Sequence, residues 1–227
     1  MCPELLQKMM MGMESPSDME ALRLSCKVIS NTIGCLNYPQ VQAEWLVHWH
    51  GAQKAMGQSL LSCRQPQRVI ESLIKNYGAN VNSSECVAIG EYQLEVLPLA
   101  CLGFHPASLE VVELLVSSPG LDINRAWTDP LRNHSRRRIL EWTCDDTAAF
   151  MMRRALPMAH DRQRVPTVDF VRTILRHPGI DVNAPCPNGA LGSAIFTACS
   201  ADEIAALSLL LQHDQIDINV RGNQLYI

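Results

Sequence analysis

The chain has 227 residues, 47% of them hydrophobic and 19% charged, and carries a net charge of −4. That is enough material for one extended domain with its own core, and the modest acidic balance argues against affinity of the whole molecule for nucleic acid. No apolar run approaches the length of a membrane span, and Met1-Cys2-Pro3-Glu4-Leu5-Leu6-Gln7-Lys8 lacks the charged-then-apolar layout of a signal peptide.

Residues 1 to about 15, with methionines at 9, 10, 11 and 13, are expected to be loosely ordered. Ser17-Asp18-Met19-Glu20 before Ala21-Leu22-Arg23-Leu24 reads as a capped helix start, with Ser17 or Asp18 as N-cap. A second helix is predicted from about Gln40 to His50, using Val41, Trp45, Leu46 and Trp49 as its apolar side. His48 and His50, two apart on that helix, point in different directions, so they make a poor metal pair and read as one exposed and one half-buried histidine. Residues 1–56 are assigned as an N-terminal helical cap.

From there a pattern recurs. Apolar helical stretches at Val69–Ile74, Val111–Val116, Phe170–Leu175 and Ala205–Leu211 each run into a breaker and then a short phrase, an apolar residue between two Asx-type residues. The phrases are Asn80-Val81-Asn82, Asp122-Ile123-Asn124, Asp181-Val182-Asn183 and Asp217-Ile218-Asn219. Helices of about ten residues are marginal alone in water, so each must bury its stripe against a neighbour. Four occurrences indicate a repeat architecture. His177 and His213 follow the second helices, where a cation suits a helix C-terminus.

Leu97-Pro98-Leu99-Ala100-Cys101-Leu102-Gly103, with Glu110–Val116 and Leu121-Asp122-Ile123-Asn124, resembles the ankyrin repeat, as does Ser193-Ala194-Ile195-Phe196-Thr197-Ala198 with Ala206–Leu211. The family's Thr-Pro-Leu-His start is matched only at Pro98 and Leu99, so the copies are degenerate. The resemblance covers about residues 57–227. It implies an all-α, ankyrin-like helix-turn-helix solenoid with short β-hairpin or loop connections. It also implies a non-enzymatic scaffold for protein–protein interaction that binds through its concave face and inserted loops.

The final Asn residues lie 42, 59 and 36 residues apart, against a family period of about 33. A modest insertion is therefore expected around Ser83–Glu95 and a long one between Arg125 and about Val165. The segment 125–165 holds nine arginines, no lysine and five acids. It reads either as a basic surface for an acidic segment of a partner or as a solvated helix face. The expected partner contacts are Arg125, Trp127, Arg136, Arg137, Arg138, Trp142, Asn188 and Arg221, since Trp and Arg are enriched at binding hot spots.

Nine cysteines form no Cys-x-x-Cys pair, which gives a structural metal site no support. They read as free thiols of a reducing, cytoplasmic compartment, the nucleus and delivery into a host cell being alternatives. Cys63, Cys101 and Cys199 are expected to pack in the core. No cofactor is implied. An alternative function is a cysteine-dependent enzyme or modifier centred on Cys144, His134 and His160, and another is a repeat fragment of a larger signalling or pathogen-secreted effector protein. After Asn219 the chain resembles the opening of another hairpin, so the edge formed by Leu207, Leu210 and Leu211 is expected to need a further repeat, a partner or a second copy.

Overall fold

The computed structural model describes residues 11–13, 18, 38–85, 87–89, 92–103, 105–129, 135–145, 166–187 and 192–219. The helix expected over 21–29 lies outside the described residues. The described chain is mostly helical with a few short strands, and none of its helices is long and apolar enough to cross a membrane. It divides into two units, Met1–Glu85 and Cys86–Ile227.

In the first unit, helix α1 (Tyr38–Ser62) packs on helix α2 (Pro66–Tyr77). Helix α1 is broken at Gly51, whose φ of 76° lies in the left-handed region that glycine enters without a Cβ clash. Residue 56, where the cap was expected to end, falls inside the second half of α1. Proline at the start of α2 fits there because the first helical N–H has no intrahelical partner. Gly78, again left-handed, closes its end by donating its N–H to Leu73 O. Val41, Trp45, Leu46, Met56, Leu60, Val69, Ile70 and Leu73 form the core, and Trp45 Nε1 donates to Met13 O at 2.8 Å. Trp49, expected on the apolar side, is exposed, and so are both His48 and His50. The turn after α2 is closed at Asn80, whose backbone N–H donates to Gln53 Oε1 at 2.8 Å.

The second unit begins with the antiparallel hairpin β1 (Val87–Ile89) and β2 (Tyr92–Leu94), which occupies the insertion expected near 83–95. Helices α3 (Val96–Cys101) and α4 (Ser108–Ser117) follow. A second hairpin, β3 (Ala126–Asp129) with β4 (Ser135–Arg138), leads straight into α5 (Ile139–Thr143). Residues 146–165 lie outside the described residues. Then come α6 (Thr167–Leu175), α7 (Ala194–Ser200) and α8 (Ile204–Leu211). The packing is pairwise: α3 on α4, α7 on α8, and α5 against α6. It also runs like to like, with α5 touching both α3 and α7 and α6 touching both α4 and α8. The core follows that arrangement through Leu99, Val112, Leu115, Leu140, Phe170, Val171, Ile174, Ala198 and Leu210.

The recurring phrase has a hydrogen-bonding reason. Its first Asx side chain accepts the backbone N–H of the Asn two residues on, closing an Asx turn at Asn82, Asn124, Asn183 and Asn219. The apolar middle residue points inward at Ile123 and Val182. The last Asn then ties one turn to the next. Asn124 Nδ2 donates to Gly179 O at 2.7 Å while its Oδ1 accepts from Asp181 N at 2.8 Å. Asn183 does the same with Gln215 O and Asp217 N, at 2.6 and 2.8 Å.

His177 and His213 close their turns as acceptors: Nδ1 receives the N–H of Gly179 and of Gln215.

Candidate functional site

The described arginines of this segment, Arg125 and Arg136 to Arg138, lie in turn and strand, where a solvated helix face was one expectation, and Ile139–Thr143 after them is helical. In the β3–β4 register Trp127 faces Arg137 and Thr128 faces Arg136. Alternation along a strand sends neighbours to opposite faces, so Arg136 and Thr128 look outward and Arg137 and Trp127 inward.

Arg137 is only 1% exposed. Its guanidinium pairs with the buried Asp145 at 3.2 Å, donates to Glu141 O at 3.0 Å, and has its central carbon 5.8 Å from the centroid of the Trp142 ring. Trp142 meets Trp127 edge to face with centroids 4.5 Å apart. Two tryptophans and an ion pair thus form one buried node, in which the desolvation of Arg137 is offset by a carboxylate, a carbonyl and an aromatic face.

Arg138, half-buried at the N-cap of α5, works as a strut. Its Nε donates to Asn124 O at 3.0 Å and its terminal nitrogen to Pro185 O, so one side chain holds two separate turns. Its backbone N–H donates to Glu141 Oε2 at 3.2 Å. Burial pushes the Glu141 carboxyl above its ordinary pKa, against the pull of that N–H, of the nearby Cys186 thiol and of the Arg137 and Arg138 charges. Arg125 pairs with Glu95, the N-cap residue of α3. Arg136, the exposed member of the run, donates to Ala126 O at 3.0 Å.

The expected contact set therefore divides. Trp127, Arg137 and Trp142 are corrected to core positions, because strand alternation and the Arg137–Asp145 pair draw them inside. Arg125 and Arg138 are partly exposed but engaged with the chain itself, and Arg136 faces solvent. Asn188 and Arg221 lie outside the described residues. Reasoning from the sequence missed the Asp145 carboxylate and the Glu141 carbonyl that accommodate the inner arginine; the signal was there in strand alternation followed by Glu141-Trp142 and Cys144-Asp145.

The Cys144 thiol is buried and pushed up to about 12, chiefly by desolvation. A thiol held so high is not the thiolate that nucleophilic chemistry uses. His134 and His160, grouped with it as an enzyme alternative, lie outside the described residues. Cys63 is likewise buried, pushed up to about 12, and burial also raises Cys101. Cys199, expected in the core, is exposed. Among the described residues no cluster of His, Cys, Asp or Glu could hold a metal ion. An open groove between α4 and α6, lined by Glu110, Glu113, Leu114, Thr173 and Arg176, carries both signs of charge.

No protein-family model, curated protein or solved structure matches the chain.

Proposed function

We propose that the chain is an ankyrin-type helix-turn-helix scaffold that binds another protein and carries no catalytic centre of its own. The observation that carries this reading is the paired hydrogen bond made twice by the last Asn of the phrase, at Asn124 and at Asn183, to the same two main-chain atoms of the next turn. A joint made the same way twice, together with like-to-like packing of first helices and of second helices, supports successive units of one kind. Such a stack is preorganised, so a partner loses little to ordering the scaffold on binding. In this reading the N-terminal cap ends at the Gly51 break, and the second half of α1 with α2 forms the first pair.

The binding face is placed on the outward sides of the two hairpins: Ala88 and Gln93 on the first, Thr128 and Arg136 on the second. The partner is a protein, with an acidic segment opposite Arg136. Replacing Arg136, Arg137 and Arg138 together would break the buried node and test stability instead of binding. The cleaner variant is Thr128→Ala with Arg136→Glu, which sets no like charges opposite each other in the hairpin, compared with wild type as bait in quantitative affinity capture. Partners held by wild type are expected to be lost from the double variant while its melting temperature stays unchanged. Full retention of every partner by a folded double variant would sink the reading.

A further inference from the structure

Two helices settle surface charge within themselves: Lys75 meets Glu71 at 2.6 Å on α2, and Arg172 meets Asp169 at 2.6 Å on α6. The open groove between α4 and α6 is different. One wall carries Glu110 and Glu113, the other carries Arg176, and all three residues are exposed. Among the described residues none of the three forms an ion pair or a side-chain hydrogen bond. Opposite charges thus line opposite walls without closing on each other.

Helix position accounts for only part of this. Glu110 in the first turn of α4 and Arg176 at the C-cap of α6 each sit at the helix end whose dipole suits them. Glu113, in the middle of α4, has no such support, and it stands three residues from Glu110, where like charges on one face repel. The groove is also lined by half-buried Leu114, exposed Pro178 and buried Val116, and it encloses about 640 Å³. Its α4 wall runs for about 10 Å, the length of two helical turns.

We propose that this groove is a docking site for an α-helix of a partner protein, basic on one flank and acidic on the other. Lys or Arg on the first flank would face Glu110 and Glu113, and Asp or Glu on the second would face Arg176. An apolar stripe between them would cover Leu114 and Pro178. A purely acidic segment, of the kind placed opposite Arg136, does not fit here, because Glu110 and Glu113 repel it. A small ligand would stay mostly in water in so open a groove, whereas a docked helix keeps its far side in solvent. The groove shares no residue with the hairpins, so the proposal does not rest on the binding face above.

The probe is a displayed library of single α-helices randomised at their exposed positions. It is selected on the full chain and counter-selected against the double variant Glu113→Arg with Arg176→Glu. Both substitutions fall on exposed positions, so the variants are expected to melt as wild type does. Surviving helices are expected to carry the two signs on opposite flanks of an apolar stripe. Made as free peptides, they should bind either single variant about tenfold more weakly than wild type. A peptide with its signs exchanged should prefer the double variant over wild type by a similar factor. The proposal is overturned if no helix survives, if survivors lack that layout, or if exchanging the signs does not reverse the preference. The hairpin variant, Thr128→Ala with Arg136→Glu, should bind the peptides as wild type does; loss there would place them on the hairpins and overturn the groove. Sedimentation showing self-association that Glu113→Arg abolishes would overturn it too, since the occupant would then be a second copy.

Discussion

The second hairpin with α5 and the last pair, α7 with α8, place their side chains the opposite way round. In the first region an arginine, an aspartate and a glutamate are inside with two tryptophans. In the last, a phenylalanine, two isoleucines and a leucine are outside. Both regions belong to one unit, so residue type alone does not decide the side. What decides it is the neighbour. Arg137 is inside because Asp145, the Glu141 carbonyl and the Trp142 ring replace its water. Ile218 is outside, and among the described residues no turn covers it as the turn at Gln215–Asp217 covers Val182.

The contrast is sharpest under substitution. Arg137→Ala leaves Asp145 buried without its partner and is expected to cost about 3–5 kcal/mol, read as a lower midpoint in urea denaturation; a loss below about 1 kcal/mol would place the node at the surface in solution. Glu141→Gln probes the same node through pH. Burial raises the Glu141 pKa in the folded chain, so its ionisation weakens the fold, and stability is lost as pH rises through the raised value. The variant should therefore gain on wild type at neutral pH, and the gain should shrink as pH falls through the carboxylate range. A wild type that is the more stable at pH 7 would mean that the arginines outweigh burial. The smallest effect belongs to the last turn: Ile218→Ser is expected to change stability by no more than about 0.5 kcal/mol. A larger loss would show Ile218 covered after all.

The turns were legible in the sequence because their chemistry is local. An Asx two residues before an Asn after an apolar helix writes its own hydrogen bond, and all four phrases form it. Helices over 66–77, 108–117, 167–175 and 204–211 were legible from their apolar periodicity. The arginine run was not, because its meaning depends on period. Read as a helix, Arg136-Arg137-Arg138 fans around more than half of the helix surface; read as a strand, its middle member goes inside. Nothing local to three identical residues chooses between these, and the choice is made by pairing with Ala126–Thr128 across the hairpin. Cys199 escaped for a related reason. Its position in α7 matches that of the buried cysteines at the ends of α3 and α5, but its surroundings depend on what lies against it.

The Asn124 and Asn183 joints have a consequence for how such a chain can change. Each amide reads a carbonyl and an N–H, atoms that every residue except proline supplies in full. Gly179 and Gln215 fill the same place with unlike side chains and are bound alike. The fastening is therefore indifferent to most of the residues it fastens. A helix pair could be lost, doubled or exchanged for a foreign one without rewriting its neighbours, provided the turn keeps its shape and an asparagine keeps its place.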